Sequence, residues 1–395
     1  MALSALFVVG LAVAVFVGFN VGGSNIGVAF GPAAGASAVS KTGAAALMTI
    51  SFFLGGWTVG RGVVKTMGGR IVPSSYFTPE TSVVVLFFIG FALFLANVVG
   101  VPASTSMTGV GSIAGLGLAS EALDWATMTE ILTWWLVSPV IAFWVSGVIG
   151  RYYYPRLARL LAVNQSDGSL LALDRTGTVP RPKLGTNTTR REAVGTVAVV
   201  AVACYTAFSA GTSNAANAIA PLVGAGTLGM EPGLLLVGVA VGLGAFTIGR
   251  RTIATMGDDL TEMPLLAALV VAVVSSTLVT VLSWFDIPVS VVIIATMSIV
   301  GLGWGRATRT TTVAEAVEEP PDVSIDALAG DDVPTVGEGG TPDAHEPPAI
   351  GEEDVPAAAD LFEPTTTAKV IALQNLVPAI STVAAYLVFR FLPVF

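Results

Sequence analysis

GGSNIGVAFGPAAG, residues 22 to 35, and GTSNAANAIAPLVG, residues 211 to 224, decide the fold between them. They share six of fourteen positions at an offset of 189. In a chain this rich in Gly, Ala and Val, chance gives about one match in ten. At the same offset TVGRGVVKTMGG (58 to 69) and TIGRRTIATMGD (247 to 258) share six of twelve. Further on, VPASTSMTGVGSIAGLG (101 to 117) and IPVSVVIIATMSIVGLG (287 to 303) share seven of seventeen at an offset of 186. The chain is an internal duplication.

The charge pattern says what kind of duplication. Of 395 residues 53% are hydrophobic and 11% charged, against about 25% charged in a soluble protein. Segments free of Asp, Glu, Lys and Arg run over 1–40, 42–60, 81–120, 131–150, 193–230, 232–249, 263–285, 287–305 and 370–389. About 20 apolar residues cross a bilayer. With Asp286 allowed as the single interruption of 263–305, the order is double, single, double, single, and then the same again. The expected architecture is an all-α polytopic membrane protein of two inverted-topology repeats, with broken or re-entrant helices and about 10–12 membrane segments. Residues 1–150 form the first repeat, and 193–305 with 367–395 form the second.

The net charge of −9 belongs to one segment. Residues 310–368 hold 15 of the 27 acids and no Lys or Arg, leaving 12 acids against 18 bases elsewhere. Composition makes 306–366 an acidic, disordered loop, and four Lys in the whole chain suggest a high-salt cytoplasm. The connector 151–192 carries eight bases against three acids, which places it in the cytoplasm. Five crossings per half put both termini outside and the acidic loop inside. Without a basic region ahead of the first apolar run, no cleaved signal peptide is expected. Tyr152–Tyr154, Trp134 and Trp135 suit aromatic positions at the membrane interface, and Arg61 and Arg250 suit anchors at span ends.

Each double-length stretch has a polar, Gly- or Pro-rich middle: 20–32, 100–111, 209–221 and 286–290. Unpaired backbone groups cost several kcal/mol in hydrocarbon, so broken helices there must line a protein or water cavity. Matching breaks in two halves point to a transporter's binding site. The candidate substrate ligands are Ser24, Asn25, Ser104, Thr105, Ser213, Asn214, Asn217 and Ser290, with Asn25 and Asn214 as candidate cation ligands. Helix N-termini at the breaks would add N–H groups for an anion. Asp286 is the lone acid in any break, so the site is neutral and donor-rich, which suits an oxyanion. Taken singly, these small polar residues are equally at home in helix packing.

The paired signatures resemble those of the inorganic phosphate transporter (Pit) family, whose halves each carry a GANDVAN-like and a PVSTTH-like segment. Here they stand as GGSNIGVAFGP and GTSNAANAIAP, then VPASTSM and IPVSVVI, and the resemblance covers both halves outside the acidic loop. It implies a secondary symporter in the cell membrane that carries inorganic phosphate with sodium or protons, with the site between the halves. Two departures bear on substrate and ion. The family's Asn-Asp pair aligns with Ser24-Asn25 and Ser213-Asn214, and the second hydroxyl motif is reduced to Ser290 followed by valines. Losing both carboxylates removes the acceptors that phosphate protons need, so a sulfate or other oxyanion permease is the alternative. Proton coupling is disfavoured because little in the breaks titrates.

One His and one Cys exclude a His- or Cys-built metal centre and a catalytic triad. No phosphate-loop motif occurs, and no enzyme activity, metal or cofactor is expected beyond sodium as a bound ion. The expected partners are inorganic phosphate or another oxyanion, a coupling cation and the lipid bilayer, with a homo-oligomer as a further candidate and no nucleic acid. A channel or a non-transporting receptor is the remaining class. Four breaks argue against it, since scaffolding does not require them.

Overall fold

The computed structural model of the chain describes residues 5–36, 38–99, 104–160, 171–174, 181–184, 190–250, 253, 264–308 and 364–392. The acidic segment 309–363, most of the connector and Asn187 lie outside them. The first repeat contributes α1 (Ala5–Gly35), α2 (Lys41–Thr58), α3 (Gly60–Lys65), α4 (Pro79–Val99), α5 (Thr105–Ala119) and α6 (Trp125–Val148). After α7 (Tyr154–Leu160) the connector holds one antiparallel ribbon, with β1 (Leu171–Asp174) pairing β2 (Arg181–Leu184) in the register Leu171 opposite Leu184. The second repeat contributes α8 (Arg190–Gly224), α9 (Met230–Phe246), α10 (Leu265–Trp284), α11 (Val291–Ala307) and α12 (Pro364–Phe391).

The halves pack by exchange. Helix α1 lies on α9 as α2 lies on α8; α5 lies on α12 as α6 lies on α11; and the α1–α4 contact is repeated by α8–α10. Helices α1 and α8 also pack against each other at the centre. Each pairing has its counterpart when the halves are interchanged, the pattern a two-fold relation produces. The large fully buried side chains, among them Phe30, Phe52, Met48, Met67 and Ile219, lie along these central helices.

The stretches 20–32 and 209–221 are not broken. Helices α1 and α8 run through them for 31 and 35 residues. In α1 the polar side chains bond back to their own helix: Asn20 Nδ2 to Phe16 O (2.8 Å), Ser24 Oγ to Val21 O (3.2 Å) and Asn25 Nδ2 to Val21 O (2.9 Å). In α8 Thr212 does so at Ser209 O, while Ser209, Ser213 and Asn214 are satisfied by neighbouring segments. A side chain satisfied within the helix creates no break. Pro32 and Pro221 fall in the last turn of each helix, where a proline removes only one interior bond.

The other two breaks are real. Helix α5 starts after Ser104, whose backbone is extended, residues 100–103 lying outside the described ones, and α10 and α11 are separated by residues 285–290. Ser104 caps α5 by accepting the Met107 N–H at 3.2 Å, and Ser290 caps α11 by accepting the Ile293 N–H at 3.3 Å. Ser104→Ala and Ser290→Ala are each expected to cost about 1 kcal/mol, read as a lower unfolding midpoint of the purified protein in detergent. A further break was not legible as one: α2 and the segment after it meet at 64°. At that bend a side chain on Gly60 would crowd the carbonyls of Thr212 (3.0 Å) and Gly211 (3.2 Å) on α8.

Counting the bent pair as one, ten helical segments make up the two halves among the described residues. Only α1, α4, α6, α8 and α10 are long and apolar enough to cross a membrane singly, with the bent pair as a sixth. Helices α9 and α11 and the part of α12 from Asn375 are shorter apolar pieces. That is the low end of the expected 10–12 segments, with fewer full crossings.

Outside the membrane-spanning segments, Asp124 caps α6 by accepting the Thr127 N–H at 2.7 Å. That backbone bond, with help from the Thr127 hydroxyl, holds its carboxyl below the usual range. The Arg61 guanidinium lies 4.7 Å from the Trp57 ring centre and 3.6 Å from Glu231. Trp135 has a partner within the fold. Its indole N–H donates to Pro288 O at 2.8 Å and so holds the turn between α10 and α11.

Candidate functional site

Asn214, 1% exposed, is the hub of the centre. Its Nδ2 donates to Asn25 Oδ1 across the α1–α8 contact at 3.2 Å. Its Oδ1 accepts from Thr105 Oγ1 (2.7 Å), Ser106 Oγ (3.0 Å) and, at 3.5 Å, Asn217 Nδ2. One residue earlier, Ser213 Oγ donates to Val289 O at 2.9 Å, lies 3.0 Å from Ser106 Oγ and receives the Val289 N–H at 3.4 Å. The turn ahead of α11 and the start of α5 therefore both meet the middle of α8.

Ser106 and Ser213 have two hydroxyl protons between them for three contacts: Asn214 Oδ1, Val289 O and each other. A hydroxyl donates once, so one of the three is always unmade. The network therefore has three proton arrangements, one for each contact left unmade. A second open capacity is Asn217 Oδ1, which is fully buried and has no hydrogen-bond partner. It fits only because Gly109 of α5 has no Cβ, which would overlap it. Among the described residues, the buried polar groups of the centre include no Asp or Glu, and no three His, Cys, Asp or Glu come together.

Of the residues expected from sequence, Asn25, Thr105, Ser213, Asn214 and Asn217 meet in this network. Ser104 and Ser290 instead cap the helices that enter it. Ser24 bonds only its own helix, at Val21 O, although its repeat counterpart Ser213 joins the centre. Ser106, one of the hydroxyls of the polar set at 100–111, joins them; two contributors were not singled out, the backbone of Val289 and Gly109 as clearance. Ser106 stands in the quoted VPASTSM motif, so a hydroxyl next to Thr105 was the available signal. The Val289 carbonyl has no signal in a side-chain alphabet. The network is also lopsided. Thr105 and Ser106 correspond at the offset of 186 to Val291 and Val292, and Asn217 corresponds at 189 to Val28.

Paired helical halves around a buried, uncharged polar centre define a multi-pass membrane transporter for a small polar solute, not an enzyme. The chain belongs to the PHO4 phosphate transporter family, whose model matches residues 21–318. The sulfate permease CysP of Bacillus subtilis is 29% identical over 292 residues, covering 74% of this chain and 75% of that protein. A putative phosphate permease of Helicobacter pylori is 26% identical over 357 residues, covering 74% and 67%. Among solved structures, one titled "The sodium-dependent phosphate transporter" superposes with a TM-score of 0.65 over 98% of this chain and 99% of that one, at 17% identity. That likeness is one of fold.

Proposed function

We propose that the protein is a secondary carrier of a tetrahedral oxyanion across the cell membrane, driven by a sodium gradient, with sulfate ahead of phosphate. The observation that carries the order of substrates is that, among the described residues, no carboxylate is found with the buried polar groups at the centre. Near pH 7 sulfate has no proton and only accepts hydrogen bonds, so hydroxyls, amide N–H groups and helix N-termini satisfy all of its oxygens. Phosphate still carries one or two protons, each needing an acceptor. Asn214 Oδ1 already receives three donors. A protonated oxygen buried without an acceptor costs about 1–3 kcal/mol. The likeness to the sulfate permease of Bacillus subtilis supports the same order.

Phosphate is the second reading, and one atom favours it. Asn217 Oδ1 is buried and open, and it would accept a single phosphate proton. Uptake of labelled sulfate and phosphate into proteoliposomes decides between them. The expected result is saturable sulfate uptake that unlabelled phosphate competes about tenfold less well than unlabelled sulfate, the ratio that 1.4 kcal/mol gives. Stronger competition by phosphate would reverse the order. No uptake of either anion above empty vesicles would remove the proposal.

A further inference from the structure

Helix α10 ends in a way its sequence should disfavour. The Asp286 N–H bonds to Ser283 O and the Ile287 N–H to Leu282 O, each at 3.0 Å, the paired bonds of a Schellman cap. Asp286 occupies the left-handed position of that cap, with φ 64°, where glycine is the usual residue. In the other half the counterpart at the offset of 186 is Gly100, which lies outside the described residues. The cost is compounded by charge, because a carboxylate at a helix C-terminus faces the negative end of the helix dipole. Strain of this kind persists where something else holds it, and such positions gather at functional sites.

The surroundings of the carboxylate are equally specific. It rests against Gly62, beside the 64° bend of the first repeat, where a Cβ would overlap Oδ1. Among the described residues no hydrogen bond or ion pair reaches it. The neighbouring base, Arg61, turns to the Trp57 ring and Glu231 instead. The carbonyls of Trp284 and Phe285 are open as well: Pro288 has no N–H to give, and the Val289 N–H is taken by Ser213 Oγ. The turn itself is pinned by Trp135 at Pro288 and by Ser213 at Val289. Three residues of chain span at most about 11 Å, so Asp286 stays close to the central network.

A carboxylate, a helix C-terminus and open carbonyls repel one another, and a bound cation relieves all three. We infer that Asp286 and the C-terminal carbonyls of α10 form a sodium site. One carboxylate with neutral oxygens matches a hard monovalent cation, and an ionisable residue within a membrane body marks an ion path. The site stands a few residues from the N-terminus of α11, which Ser290 caps at the anion network. One short turn then presents its negative end to the cation and its positive end to the anion, so occupancy of one favours the other. The coupling charge sits at 286 in place of carboxylates at 25 and 214.

This rests on the carrier reading above, and the test separates the two. The full chain, wild type and with Asp286→Gly or Asp286→Asn, is purified in detergent for radioactive sodium binding and reconstituted for sulfate uptake. For the wild type, an inward sodium gradient is expected to raise uptake about tenfold over choline, within the usual range of coupling between sites. Asp286→Gly, which restores the residue that the cap prefers, is expected to keep or raise the melting temperature. It should nevertheless lose sodium binding, and its sodium stimulation should fall below about twofold. Asp286→Asn should behave likewise in binding and stimulation. Wild-type sodium binding and stimulation in Asp286→Gly would overturn the inference, as would a wild type driven by a pH gradient and indifferent to sodium. If the wild type carries neither anion, the carrier reading fails, while sodium binding still reports on Asp286.

Discussion

Asn214→Ala is expected to lower anion uptake about a hundredfold or more while leaving the protein folded in detergent. The substitution removes one acceptor and one donor, and it strands Thr105 and Asn217 as donors and Asn25 as an acceptor, while Ser106 can still donate to Ser213. Each group left buried and unpaired costs about 1–3 kcal/mol, and a loss of about 2.7 kcal/mol at the rate-limiting barrier is a hundredfold. Asn25→Ala takes away a single bond across the halves, so it should cost about tenfold by the same conversion. Asn187→Ala, in the connector, should leave uptake unchanged. Asn214→Asp is the more informative change. It keeps an oxygen for the two hydroxyls and supplies a carboxylate at the position where the Pit-like signature has Asp. The Asn25 amide can turn its Nδ2 toward the new oxygen. Uptake should then move from sulfate toward phosphate. Measuring both anions on one preparation checks this, and unchanged selectivity would mean that acceptor supply does not set the substrate.

Much of the architecture was legible from charge and repetition alone. Charge-free runs delimited the spans because an ionised group within hydrocarbon is costly, and the two offsets paired the helices with their counterparts except α6, whose counterpart α12 lies beyond the acidic segment. The start of α5 at Ser104 and the break at 285–290 were legible through the capping serines and, in the second, Pro288. The reading failed at Asn20–Pro32 and Ser209–Pro221, where the same residue types leave α1 and α8 intact. A polar side chain that bonds the carbonyl four residues back looks, in sequence, like one that needs a break. The bend after Thr58 was hidden for the opposite reason. Its cause is the carbonyls of Gly211 and Thr212 on α8, about 150 residues distant in sequence.

The site was legible as a set of residues and not as an arrangement. Ser24 and Ser213 are equal under the repeat, yet only Ser213 joins the network. Thr105 and Ser106 reach Asn214 from the first repeat, while their counterparts Val291 and Val292 have no hydroxyl with which to answer at Asn25. A duplicated motif therefore overstates the symmetry of the site. The polar centre leans toward α5 and α8, and the anion is expected to lie on that side of the α1–α8 contact.

Gly211→Val is expected to abolish folded protein, read as loss of a monodisperse peak in detergent and of all uptake. The position is one of four that the repeat sets in register. A Cβ on Gly211 would overlap Phe52 O, on Gly22 Val241 O, on Gly55 Phe208 O and on Gly244 Phe19 O, and each pair maps onto another at the offset of 189. The obstructing atom is backbone in every case, so no rotamer change relieves it and the helices must separate. Lipid tails give apolar helices little reason to associate, so close backbone approach is what binds them. Each glycine Cα–H also points at the opposing carbonyl, a contact worth about 0.5–1 kcal/mol. Gly211→Ala is the graded version. It should cost about 1–3 kcal/mol, as overpacking does, and lower the melting temperature without abolishing the fold. Because Gly211 lies three residues before Asn214 on α8, the separation also moves the hub of the network away from Thr105 and Ser106. Uptake by Gly211→Ala should therefore fall about tenfold at a temperature where the protein is still folded. Wild-type uptake there would mean that the α2–α8 contact holds the fold without positioning the site.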